Sequence, residues 1–235
     1  MIIYGRSEPV WENFDERVRK FVKEHNIKSV CDVGGGANPI LPVELVNELG
    51  VRYTVMDISS QELSKAPKEY SKVQQDICSK DLTHLGEYDL VLTKMLAEHI
   101  RNGKRLHVNI FQLLNPGGYA IHFYPTLYAF PFIVNRLLPE RLTSWILNLV
   151  APRDRFRHEK FPAYYSWCRG PTRRQQKLFE KVGYSVTQYE GLFGHAGYYE
   201  KFRVLSRAHE MLVNFLLRHP NSYLTSYAYL VLKKS

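Results

Sequence analysis

Five short strand-like runs, four of them mainly apolar and none alternating with polar residues, punctuate the first 125 residues: Ser29–Val33, Tyr53–Met56, Val73–Asp76, Tyr88–Thr93 and Tyr119–Tyr124. A strand with one wet face alternates apolar and polar side chains, so runs like these belong to strands covered on both sides. Helical patterns separate them. Val10 to Glu24 carries Val10, Phe14, Val18, Phe21 and Val22 at helical spacing. Pro42 to Leu49 is a second helix, stopped by Gly50, and Arg101 to Leu114 is a third. Strands alternating with helices predict an α/β fold with a mostly parallel sheet and helices on both faces.

The pattern resumes after an interruption. Pro171–Val182 reads as a helix stopped by Gly183, Tyr184–Tyr189 as a sixth strand, Phe202–Leu217 as a helix and Tyr227–Leu232 as a seventh strand. Between the halves, Thr126 to Val150 is aromatic and broken by prolines, which suggests an inserted helical cap reaching to residue 172. At 235 residues the chain suits one domain with insertions. Its expected parts are an N-terminal helix (1–26), a core (27–125), the cap (126–172) and a C-terminal part of the core with an extra helix (173–235).

The sharpest local feature is Asp32-Val33-Gly34-Gly35-Gly36-Ala37-Asn38 at the end of the first apolar run. Glycines let a backbone approach a ligand closely. A dinucleotide fingerprint needs a third glycine for helix packing, and Pro39 stands at that place. A carboxylate at Asp32 would also repel a pyrophosphate and attract an ammonium group. Asp57 closes the second strand about 20 residues on, where a carboxylate can accept ribose hydroxyls. Gln75-Asp76-Ile77 offers a carboxylate and an apolar wall after the third strand. Tyr88 to Met95 and Asn115-Pro116-Gly117-Gly118 complete the set.

In this order and at these spacings, the five elements resemble the motifs of class I Rossmann-like S-adenosylmethionine-dependent methyltransferases, over roughly residues 28–125. The resemblance implies a seven-stranded, mostly parallel sheet and S-adenosylmethionine as cofactor. It places donor contacts at Asp32, Gly34, Gly36, Asn38, Asp57, Ile58, Asp76, Ile77, Thr93 and Met95, with Asn38 standing where a third glycine is common. Glu98-His99-Ile100 is similar to a segment of the family's small-molecule branch. The second-half idiom, from Phe123-Tyr124-Pro125 through Phe161 to Thr172 and on to Gly194-His195, resembles a group associated with surface-glycan or lipid-linked pathways. The implied acceptor is a small molecule, a glycan or a lipid-linked molecule.

Absences narrow the chemistry further. No Asn/Asp-Pro-Pro-aromatic run follows the fourth strand, no Pro-Cys occurs, and Thr93-Lys94 offers no carboxylate for a metal. A metal-independent O-methylation is expected, and a hydroxyl acceptor benefits from a general base. His99, just after the fourth strand, and His195 are the candidates, whereas His122 lies inside a strand and reads as packed. Tyr164, Tyr165, Trp167, Tyr198 and Tyr199 either line an acceptor pocket or pack the cap on the sheet. An RNA methyltransferase, an NAD-dependent oxidoreductase and a silent binding module are the competing readings.

Charge is unevenly placed. Residues 1–125 hold 15 Lys/Arg against 16 Asp/Glu, while residues 126–235 hold 17 against 7. An anionic partner fits this imbalance, as does a basic solvated surface. The cap's Arg136, Arg141, Arg153, Arg155 and Arg157 suggest peripheral contact with an anionic membrane or a phosphate, with nucleic acid less favoured. Cys31, Cys78 and Cys168 have no metal-ligand or disulfide-framework spacing, and no signal-peptide pattern or membrane span is read, so a cytoplasmic protein is expected.

Overall fold

In the computed structural model, residues 2–127, 162–195 and 202–235 are described. Strand β1 (Ile2–Arg6) leads into helix α1 (Glu8–Glu24). Then β2 (Ser29–Val33), α2 (Val43–Leu49), β3 (Arg52–Asp57), α3 (Ser60–Lys65) and β4 (Ser71–Gln74) alternate. They are followed by β5 (Tyr88–Lys94), α4 (Gly103–Leu113) and β6 (Leu114–Pro125). Later in the chain come α5 (Arg173–Glu180), β7 (Tyr184–Phe193), α6 (Arg203–Arg218) and β8 (Tyr227–Lys234).

The strands join one sheet in the order β1-β7-β8-β6-β5-β2-β3-β4. Every pairing is parallel except those of β8, which runs antiparallel to β6 and β7. The doubly covered strands are the dry ones: all five residues of β2 are buried, as are Leu90, Val91 and Leu92 of β5. Helix α1 turns Val10, Phe14, Val18 and Val22 inward, each side chain worth ~1.5–3 kcal/mol over leaving it exposed. Phe14 stacks on Phe123 at 5.3 Å, and Trp11 meets the same ring edge-on at 5.1 Å.

Among the described residues the sheet has eight strands, one more than expected. Ile2 to Arg6 pairs parallel with Tyr189–Phe193 along the outer side of β7. A five-residue run before a strong helix carries little periodic signal of its own, and its strand character comes from that edge. The third expected strand begins two residues earlier than read, so Asp76 stands in the loop past β4. The Pro116-Gly117-Gly118 turn is a looped-out stretch within β6: Leu114 pairs with Tyr88, and Tyr119 with Leu90. Gly117 takes φ 77°, a left-handed conformation that suits glycine.

Residues 128–161, which hold most of the expected cap and its arginine cluster, lie outside the described residues, as do Tyr198 and Tyr199. Among the described residues no helix is long and apolar enough to cross a membrane.

Candidate active site

Parallel strands β2, β3, β5 and β6 end together, at Val33, Asp57, Lys94 and Pro125, so the loops beyond them share one edge of the sheet. Ligands of open α/β sheets bind at that carboxyl edge. The glycine turn rises from β2. Its Gly34 N–H donates to the Met56 carbonyl at 2.7 Å, tying the turn to β3. Gly34 (φ 78°) and Gly36 (φ 37°) both lie in the left-handed region.

Asp32 sits beneath this turn, buried. Its Oδ2 accepts from the Tyr53 hydroxyl at 2.5 Å and the Ile40 N–H at 3.0 Å. Burial lifts its pKa to about 6, and the two donors pull the other way. Those bonds make Asp32 a fastener of the loop that runs from Gly34 to the start of α2. Tyr53 gave no warning in the sequence beyond strand geometry: it stands beside Val30 across the β2–β3 ladder, on the face that Asp32 shares two residues on.

On the upper side, Asp57 faces Gly36. A Cβ added at Gly36 would stand 2.9 Å from Asp57 Oδ2 and 3.0 Å from Glu62 Cβ. Only a glycine leaves room between the turn and that carboxylate. The other oxygen, Oδ1, accepts from Ser59 N–H at 2.9 Å. Ile58 is 64% exposed on the rim of the same edge. Asp76 Oδ1 accepts from Cys78 N–H at 2.7 Å, shaping the loop after β4. Asn109 of α4 holds that loop through the carbonyls of buried Ile77 and of Ser79, at 2.6 and 2.9 Å. Sequence reading missed Asn109, whose only signal was a buried amide on the inner face of α4. The Asn38 N–H closes the glycine turn on the Gly35 carbonyl at 2.7 Å.

Past β5, Thr93 is fully buried, and its hydroxyl meets His122 Nδ1 at 2.8 Å. Burial holds that imidazole neutral, with a pKa of about 3. His122 is thus a packed strand residue, as expected. Lys94 reaches back to Asp15 of α1 at 2.8 Å. Met95 takes φ 55° while its N–H donates to the Phe123 carbonyl at 2.8 Å. This kink turns Leu96 onto the glycine turn, where its side chain lies 3.0 Å from a Cβ built on Gly34.

His99 closes the turn Ala97–His99, its N–H bonded to the Leu96 carbonyl at 2.9 Å. Its Nδ1 lies 3.0 Å from the Pro162 carbonyl. A carbonyl only accepts, so Nδ1 carries the hydrogen and Nε2 is the proton-accepting nitrogen of the neutral ring. Glu98 Oε1 is 3.6 Å from that Nε2. Glu98 itself is buried, and burial pushes its carboxyl up to about 8, so it is neutral at pH 7. The N–H groups of Tyr164 and Tyr165 both donate to the Glu98 carbonyl, at 2.7 and 3.0 Å, seating the returning chain on this turn.

Of the aromatic residues expected at an acceptor pocket, the described three divide. Tyr164 is 40% exposed, its ring 6.0 Å from the Arg101 guanidinium. Tyr165 is buried in the main core, and Trp167 stacks on His107 at 5.7 Å, so these two pack. His195 lies at the end of β7, three strand spacings from β5, about 14 Å across the sheet. Its Nδ1 meets Ser226 Oγ at 2.8 Å, and its ring lies 4.3 Å from that of His209. Burial holds it neutral, with a pKa of about 3. The edge therefore gathers Gly34, Gly36, Asp57, Ile58 and His99 on one side and sets His195 apart. Among the described residues, no group of three His, Cys, Asp or Glu side chains could hold a metal ion.

A family model described as a methyltransferase domain matches residues 11–191, from the second turn of α1 to the end of β7. The chain belongs to the methyltransferase-domain family. Among curated proteins none matches the methyltransferase in sequence. Solved structures do match in fold. The O-methyltransferase segment of StiE superposes with a TM-score of 0.58 at 19% identity, over 95% of this chain and 74% of that one. Geranyl diphosphate C-methyltransferase from Streptomyces coelicolor A3(2) gives a TM-score of 0.56 at 11% identity, over 94% and 78%. Phosphoethanolamine N-methyltransferase 2 of Haemonchus contortus gives 0.55 at 13%, over 93% of this chain and only 52% of its own. At these identities the likeness is one of fold. The sheet order and the covering helices are the Rossmann-like arrangement these methyltransferases share, and an S-adenosylmethionine-dependent methyltransferase from Clostridium acetobutylicum ATCC 824 superposes likewise, with a TM-score of 0.55 at 11% identity. A side chain at position 36 would crowd the Asp57 carboxylate, so glycine there keeps that carboxylate uncovered at the carboxyl edge.

Proposed function

We propose that the methyltransferase moves a methyl group onto a hydroxyl of a small or lipid-linked acceptor without a metal, with His99 Nε2 taking the proton. When bound, S-adenosylmethionine supplies an electrophilic methyl group on a sulfonium, leaving as a neutral thioether. Asp57 is placed to accept hydrogen bonds from a ribose. Ile58 and Ile77 are apolar walls for an adenine, with Asp76 beside them. The bare backbone of Gly34 and Gly36 permits close approach, while Asp32 holds that backbone in place from below. Thr93 and Met95 shape the strand end.

The observation that supports the reading is that Leu96, whose side chain packs at Gly34, also accepts the His99 N–H on its carbonyl at 2.9 Å, so the loop that carries His99 is the one that meets the glycine turn. Lys94 in place of a carboxylate after β5 supports a route without metal. The His99→Ala variant tests it: turnover should fall ~10²-fold or more, with adenosylhomocysteine affinity within about twofold of the parent. Normal turnover in a well-folded variant would remove His99 as the base.

A further inference from the structure

Helix α6 is amphipathic in the wrong sense for a helix that merely covers a sheet. It buries His209, Val213 and Leu216. On its outer side Val204, Leu205, Met211, Leu212 and Phe215 are 51–81% exposed, and Phe202, just before the helix, is 44% exposed. At 100° per residue, the five helical positions fall within a sector of about 120°. Of the twelve large hydrophobic side chains exposed among the described residues, eight lie between Phe202 and Leu224. Scattered apolar residues are ordinary on a surface, but a continuous stripe marks an interaction face.

The charges around the stripe say what it meets. Arg203, Arg207 and Arg218 are exposed and lie on one flank of the apolar sector. Glu210 is the one acidic residue between Phe202 and Leu224, and it is paired with Arg6 at 3.0 Å. The face is therefore apolar with an unopposed cationic border. Two copies of α6 laid against each other would bring like charges together, which disfavours a symmetric pair. An anionic lipid surface complements both features at once.

We propose that α6 lies in the headgroup region of an anionic phospholipid bilayer, its apolar sector among the acyl chains and its arginines against the phosphates. Both ends of the helix are tied to the carboxyl edge of the sheet, since β7 finishes there and antiparallel β8 starts there. His209 anchors it through the His195 N–H at 3.1 Å. A bilayer on this face borders the edge where the acceptor binds, and in this the inference extends the lipid-linked reading of the acceptor.

Flotation of the full chain with vesicles tests the proposal without donor or acceptor, so its failure is distinguishable from failure of the proposed reaction. Recovery with phosphatidylcholine vesicles containing 30% phosphatidylglycerol should exceed that with phosphatidylcholine alone. Leu212→Asp combined with Phe215→Asp should abolish recovery while the melting temperature holds. Removing Arg203, Arg207 and Arg218 should weaken binding about fivefold each, and 0.5 M salt should act similarly. Equal and negligible recovery on both vesicle types would overturn the proposal. So would an aspartate pair that converts a dimer to a monomer, or one that lowers the melting temperature without changing recovery, since each would show that protein covers the stripe.

Discussion

Replacing Glu98 with glutamine should stabilise the protein, and by an amount set by pH. The side chain is 2% exposed, and burial raises its pKa from 4.5 to about 8. Between those values the unfolded chain ionises at this position while the native state does not, so each pH unit costs the fold about 1.4 kcal/mol. A raised native value means the contribution is whole below pH 4.5 and is lost as pH climbs through 8, for a total of ~5 kcal/mol. Glutamine has the same shape and no charge to lose. The stability difference between Glu98→Gln and the parent should therefore grow by about 1.4 kcal/mol per unit between pH 5 and pH 8, then level off. Asp32, also raised by burial, is present in both proteins and cancels. Urea unfolding at pH 5, 6, 7 and 8 measures the difference directly. A gap that stays constant across that range would refute the reasoning, because Glu98 would then ionise normally in the native state, with His99 as its counter-charge.

The donor side yields two further expectations. Asp57→Ala should weaken adenosylhomocysteine binding by ~1.5–3 kcal/mol, the worth of a charged hydrogen bond, which calorimetry reads; unchanged affinity would mean the ribose is held elsewhere. Tyr53→Phe removes a buried donor to Asp32 and should cost ~1–3 kcal/mol of stability at pH 8, with a smaller loss at pH 5, where the carboxyl is protonated. An equal loss at both pH values would show that Asp32 is not charged when Tyr53 holds it.

Much of the fold was legible because it rests on local signals. The dry run Ser29–Val33 appears at those residues as β2. Gly50 ends its helix in the left-handed conformation at φ 62°. Helix α1 buries four of the five residues its spacing picked out, and Phe21 packs at the margin against Tyr119. Strand β1 was not legible, because a partner more than 180 residues away makes it a strand. The site divides the same way. Asp57 and Gly36 follow from position on a strand end, and they lie against each other at the carboxyl edge. The orientation of Asp32 does not, since its Oδ2 accepts from a hydroxyl on the next strand, a partner that no local pattern announces. Likewise His99 and His195 look equivalent as residues beside loops, and only the strand order shows that the strands they follow run about 14 Å apart.

The placement of β1 also bears on how the protein avoids pairing with itself. An uncovered outer strand offers a row of backbone donors and acceptors to any passing chain. β1 takes up that row along Tyr189–Phe193 and is itself only five residues long. The leading half of β7 continues past it, and there the ladder shifts between Val186 and Gln188, a bulge that spoils the flat register a visiting strand would need. At the opposite edge β4 runs for four residues and carries Ser71, Lys72 and Gln74. Short borders at both ends, irregular beside β1 and polar at β4, leave the sheet a poor template for further strands, so a variant lacking residues 1–6 should aggregate before it loses its fold.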